Sequence, residues 1–115
     1  MKKFFDAFNG LNIALNHKAV MVQIVLGIMA IIGGVIIKLD HYEWLAFIVC
    51  ITLVIFAEIF NTAIENVGDY LNINNDKKIK TIKDLSSAAV LVASLGALVV
   101  CIICTIRRIL WIKKN

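Results

Sequence analysis

Proline is absent from the chain, so none of its helices is kinked by a pyrrolidine ring. Charge is scarce as well: only 17% of the 115 residues are Asp, Glu, Lys or Arg, 61% are hydrophobic, and the mean hydropathy is +0.89. A soluble domain carries roughly 45–50% apolar and about 25% charged residues. A chain this poor in polar surface could not cover a core of its own in water, and its natural solvent is lipid. Its length suits a single domain. Cysteine is limited to Cys50, Cys101 and Cys104, all inside apolar runs. Cys101 and Cys104 have a redox-like spacing but neither a βαβ context nor a nearby charge to lower a thiol pKa, so they read as small packing residues. Nothing in their placement argues for an oxidising compartment. The first fifteen residues contain no apolar h-region and no small-residue cleavage site, which excludes a cleavable signal there. Neither a Walker loop nor any protein-kinase signature is present, so a nucleotide site would have to be assembled from side chains at helix ends.

What the chain does have is three long apolar stretches. Ala19–Ile37 is 19 residues without a charge, bracketed by Lys18 and Lys38. As a helix it spans roughly 28 Å, the thickness of a hydrocarbon core. Trp44–Ala57 is apolar apart from Thr52, and the helical pattern continues through Glu58 to about Val67, giving a second span whose final turns carry polar groups. Leu85–Ile106 is uncharged for 22 residues and stops at Arg107 and Arg108. Ahead of the first span, Phe4, Phe8, Leu11 and Leu15 recur at helical spacing opposite Lys2, Lys3, Asp6, Asn9 and Asn12, the pattern of an amphipathic helix lying in the membrane interface. The expected fold is therefore an all-α membrane protein with three transmembrane helices and an amino-terminal interfacial helix. Gly68–Asp84 reads as a polar surface connection. Ala89, Ala93 and Ala97, with Gly27, Ala30, Gly33 and Gly34, supply small residues that let helices approach closely in lipid.

Basic residues cluster at the edges of the apolar runs, as interfacial anchors do, and do not form a nucleic-acid surface. Seven of them (Lys2, Lys3, Lys18, Lys77, Lys78, Lys80 and Lys83) fall on the side of the amino terminus, against five on the other. The positive-inside tendency places the amino terminus and the polar connection in the cytoplasm.

The most informative stretch runs from Glu58 to Asp69. Glu58, Asn61, Thr62, Glu65 and Asp69 stand at i, i+3, i+4, i+7 and i+11, one stripe of an α-helix. A carboxylate inside a bilayer costs on the order of 3 kcal/mol, so two on one stripe need a cation, a proton or a metal to offset them. Three readings fit: Glu58 and Glu65 pair with Lys80 or Lys83 at the headgroup boundary, they line an ion or proton path in an oligomer, or they perform metal-assisted chemistry on a lipid. Carboxylates and an Asn amide are hard oxygen ligands suited to Mg²⁺, and a buried carboxylate can take a proton from an alcohol. Lys83-Asp84 adds a phosphate-binding charge on the same membrane side.

The motif Glu58-x-x-Asn61-Thr62-Ala63-Ile64-Glu65-x-x-x-Asp69, followed by Lys83-Asp84-x-x-Ser87-Ala88-Ala89-Val90, resembles the prokaryotic diacylglycerol kinase family, which includes undecaprenol kinases. The resemblance covers nearly the whole chain. It implies a homotrimer in the cell membrane, with active sites shared between subunits at the cytoplasmic face. It also implies transfer of the ATP γ-phosphoryl group to the hydroxyl of diacylglycerol or undecaprenol, with Mg²⁺ as cofactor. By position it makes Glu58 the general base, Glu65 a metal ligand, and Asn61, Asp69, Lys83 and Asp84 nucleotide-binding residues. The family's further metal-sharing Glu, eight residues after a Gly, falls here on Lys18. A non-catalytic or ion-conducting oligomer on the same scaffold is the alternative.

Overall fold

A computed structural model of the chain describes residues 2–71 and 77–114; the segment 72–76, which includes Asn75, lies outside the described residues. Four helices follow one another: α1 (Lys2–Leu15), α2 (Lys18–Ile36), α3 (His41–Leu71) and α4 (Lys77–Lys114). The last three are long and apolar enough to cross a membrane, as the sequence predicts. Helix α1 exposes Phe4, Phe5 and Phe8 and buries only Ala14.

Two helices run further than their apolar cores. The expected polar connection Gly68–Asp84 is mostly helical: its first residues complete α3 and Lys77–Asp84 open α4. Lys77-Lys-Ile-Lys-Thr-Ile-Lys-Asp has no helix breaker, and Ile79 and Ile82 sit three apart on one face. There they line the same cleft as Phe60, Ile64, Val67 and Leu71 of α3. Lys80 then pairs with Asp84 one turn on, at 2.8 Å. A scan for uncharged runs reads such a lysine-rich turn as loop, whereas a neighbouring helix turns it into an amphipathic extension.

Helices α3 and α4 form an antiparallel pair. Glu43 meets Arg108, Asn61 meets Ser86 and Asp69 meets Lys83, so 26 residues forward along α3 carry the partner 25 residues back along α4. The helices stay in register over roughly 39 Å. Helix α2 packs against α3, with Gly27 close to Ile51: a Cβ on Gly27 would lie 3.0 Å from Ile51 Cγ2.

The tightest corner is where α2 turns into α3 beside the end of α4. Lys38 takes a left-handed backbone (φ 59°), its N–H donates to the Val35 carbonyl, and the Leu39 N–H donates to the Gly34 carbonyl. This is the paired bonding of a Schellman cap, with Leu39 folded back over Gly34. Leu39, Phe47 and Cys104 are buried together, with Ala30, Trp44, Val100 and Cys101 against them. Asp40 and Glu43 then cap α3 reciprocally: the Glu43 N–H donates to Asp40 Oδ1 (2.9 Å) and the Asp40 N–H to Glu43 Oε1 (3.0 Å). Arg108 donates from Nε to Glu43 Oε1 (3.0 Å) and from Nη2 to Asp40 Oδ2 (3.3 Å), and its guanidinium lies 4.9 Å from the Trp111 ring centroid. The Asp40 carboxyl is held below its ordinary range, mainly by the Glu43 N–H and further by Arg107 and Arg108, against partial desolvation. With a depressed folded pKa, ionised Asp40 stabilises the corner above its unfolded value, and the contribution disappears as pH falls through the lowered one.

Candidate active site

The acidic stripe lies toward the other end of the α3–α4 pair. Continuous i→i+4 backbone bonding and the 3.6-residue repeat hold Glu58, Asn61, Thr62 and Glu65 on one side of α3. Glu58 is 6% exposed and Asn61 8%. Both are turned away from the lipid-facing side, as polar groups in a spanning helix must be, and Asn61 lies against α4. The Thr62 hydroxyl donates to the Glu58 backbone carbonyl at 2.9 Å and so leaves the Glu58 carboxylate untouched. Among the described residues, no side chain donates a hydrogen bond or gives an ion pair to that carboxylate.

One turn along, Asn61 Nδ2 donates to Glu65 Oε1 at 3.2 Å. The Asn61 carbonyl faces α4, where Ser86 Oγ lies 2.7 Å and Ser87 Oγ 3.4 Å from Oδ1. Asn61 is thus the hub of the site, tied to Glu65 on its own helix and to two hydroxyls on the next.

At the end of the stripe, Lys83 bonds Asp69 across the two helices. Gly68 makes room for it: a Cβ there would lie 2.9 Å from Lys83 Cε and 3.2 Å from Ile79 Cγ2. Lys80 is spent on Asp84. Both lysines therefore pair outside the Glu58 and Glu65 carboxylates, and the reading in which they neutralise those acids has no support in the geometry. Asp84 projects on the exposed side of α4, while Lys18, exposed in the first turn of α2, forms no ion pair among the described residues.

For a divalent cation the site offers the Glu65 carboxylate, oriented by the Asn61 NH₂ beside it. Among the described residues no three His, Cys, Asp or Glu side chains gather into a metal cage. The donor set nevertheless fits Mg²⁺, which usually takes one or two carboxylates and completes its shell with water and substrate phosphate oxygens.

Six residues were expected at the site. The structure joins Asn61 with Glu65 and Asp69 with Lys83, places Glu58 one turn from the first pair, and leaves Asp84 at the rim. Ser86 was not singled out from the sequence. It sits next to the matching Ser87, but no rule of spacing distinguishes a serine that faces another helix from one that faces lipid. The Asp40–Glu43–Arg108 corner was also missed as a unit, although the D-x-x-E capping pattern at 40–43 was there to be read.

No significant relative is found among curated proteins. The family model for prokaryotic diacylglycerol kinase, by contrast, matches residues 6–105, which takes in most of α1, all of α2 and α3 with the whole polar stripe, and most of α4. With that match over most of its length and the stripe assembled as described, the chain belongs to the prokaryotic diacylglycerol kinase family, a family of lipid kinases.

Proposed function

We propose that the protein is an ATP-dependent kinase that transfers the γ-phosphoryl group to the hydroxyl of a membrane lipid, diacylglycerol or undecaprenol. Glu58 carries this reading: a residue 6% exposed whose carboxylate has no hydrogen-bonding side chain among the described residues, one turn from Asn61, which orients the Glu65 carboxylate. A buried anion with no cation is costly unless a substrate proton answers it. In the proposed reaction Glu58 accepts the lipid hydroxyl proton as the hydroxyl oxygen bonds to the γ-phosphorus, and the bond to the departing ADP oxygen breaks. Phosphoryl transfer asks for positioning and charge neutralisation more than covalent chemistry. Mg²⁺, when bound, supplies charge neutralisation at the phosphates. Glu65 would hold it, and Asn61, Asp69, Lys83 and Asp84 would position the nucleotide.

The location of Glu58 suits a lipid alcohol. Val54, one turn before it, lines an apolar cleft of about 400 Å³ between α2, α3 and α4, shared with Gly27, Phe47, Ile51 and Ala97. An alkyl or prenyl chain could lie there with its hydroxyl toward Glu58. Membership of the family implies the rest of the proposal: a homotrimer in which a neighbouring subunit completes each site, in the cell membrane with the stripe toward the cytoplasm, where ATP is.

The test is ATP consumption by the purified protein in mixed micelles, with diacylglycerol and undecaprenol supplied separately and Mg²⁺ varied. Lipid-dependent, Mg²⁺-dependent ADP formation with a phosphorylated lipid product is expected. No turnover with either alcohol would sink the enzymatic reading in favour of a non-catalytic assembly.

A further inference from the structure

The contact between Asn61 and Ser86 orders the site in a way the motif residues alone do not. Glu65 Oε1 accepts from Asn61 Nδ2 at 3.2 Å, and an amide oxygen turned toward that carboxylate would be repelled. The Asn61 carbonyl must therefore point away, into α4, where Ser86 Oγ is 2.7 Å from Oδ1. The same hydroxyl lies 2.8 Å from the Lys83 backbone carbonyl. A serine has one proton for two acceptors. The Lys83 carbonyl also belongs to the backbone ladder of α4, whereas the Asn61 oxygen has otherwise only Ser87, at 3.4 Å. The carboxylate at one edge and the serine hydroxyl at the other together hold the amide in one orientation.

We propose that Ser86 is a positioning residue of this site: donating to Asn61 across the helix pair, it keeps the amide's NH₂ edge on Glu65 and so presents the Glu65 carboxylate to a divalent cation. The inference rests on the reading of Glu65 as a metal ligand. Ser86 is half-buried, so water replaces its bond only imperfectly. Without the hydroxyl, the Asn61 amide is free to turn about its Cβ–Cγ bond, and Glu65 loses the donor that selects one of its rotamers. Outer-shell partners of this kind typically matter about 10–100-fold in metal affinity. Threonine can replace serine here, since a helical Thr places Oγ1 over the carbonyl three or four residues back, the position that Ser86 Oγ already occupies.

The experiment uses the full chain in detergent micelles and Mn²⁺ alone as the probe, with binding read from the loss of the free-ion electron paramagnetic resonance signal. Ser86→Ala should raise the Mn²⁺ dissociation constant by about tenfold, with helical content and assembly size unchanged, and Ser86→Thr should return it to near the wild-type value. Wild-type Mn²⁺ affinity in Ser86→Ala, or equal loss in the alanine and threonine variants, overturns the proposal. Glu65→Ala is measured alongside. If it alone loses Mn²⁺, the metal reading stands and the role of Ser86 falls; if it binds like wild type, the metal is held elsewhere and both fall.

Discussion

Glu58 and Arg108 show how differently a buried and a partly buried charge can be treated within one short chain. Glu58 is buried and left without a side-chain partner, as a proton acceptor awaiting substrate would be. Glu58→Gln preserves volume and hydrogen-bonding capacity while removing the basic oxygen, so kcat should fall by about 10²–10⁴-fold with the particle size in detergent unchanged. Retention of more than about a third of the activity, against that expectation, would remove Glu58 from the base role. Arg108 is the opposite case, bonded to both Glu43 and Asp40, with Glu43 Oε2 already buried and without a donor. Truncation to Ala strands the Glu43 carboxylate, and breaking such a pair costs about 3–5 kcal/mol. A large drop in the thermal midpoint in detergent is expected, against almost none for Lys80→Ala, whose exposed pair with Asp84 contributes about 0–1 kcal/mol. Lys18 occupies the first turn of α2, where the helix dipole favours an anion. Lys18→Glu should lower the Mg²⁺ concentration needed for half-maximal turnover, because it puts a carboxylate where the family resemblance asks for one. An unchanged Mg²⁺ titration would show that position to be a membrane anchor only.

Between elements, the site depends on how closely α3 and α4 approach at their Asp69–Lys83 end. Gly68 sets that distance, since an added Cβ would push on Lys83 Cε and Ile79 Cγ2. The lysine stem can yield, so Gly68→Ala should fold normally but turn the Lys83 ammonium away from Asp69. A charge-assisted contact contributes about 1.5–3 kcal/mol. The KM for ATP should therefore rise by about tenfold or more while circular dichroism stays unchanged. An unaltered KM would take Lys83 out of the nucleotide site. At the opposite end, the Schellman turn and the capping box join α2 to α3 without a glycine at the left-handed residue, which is Lys38. That position costs backbone energy but sets a basic residue at the end of a span, where an interfacial anchor belongs.

Across the whole molecule, the two ends of the α3–α4 pair have divided the work. One is a packed, ion-paired corner; the other carries buried Glu58, the amide hub and the Lys83–Asp69 pair. The orientation of this axis decides whether the second end meets ATP. A cysteine at Asn75, in a background with Cys50, Cys101 and Cys104 replaced by Ala, should react with a membrane-impermeant maleimide only after cells are opened. Labelling from outside would invert the topology and remove cytosolic ATP as the phosphoryl donor.

The three spans, the interfacial helix and the polar stripe were legible because each is a local property. A run without charge has no stable place except lipid, and residues at i, i+3, i+4 and i+7 share a face whatever the rest of the chain does. The acids in the site needed no tertiary information to be noticed, because a carboxylate near a bilayer is conspicuous on cost alone. What only the packing of α4 on α3 decided was which groups those acids meet. Lys80 and Lys83 were both within plausible reach of Glu58 and Glu65; Lys80 instead pairs with Asp84 one turn along its own helix, and the register of the helix pair sends Lys83 to Asp69. The same register turned a lysine-rich connection into helix and chose Ser86 as the partner of Asn61. Those pairings depend on the relative slide and rotation of two helices, which are set by many weak contacts summed over the whole interface and by no single position in the sequence.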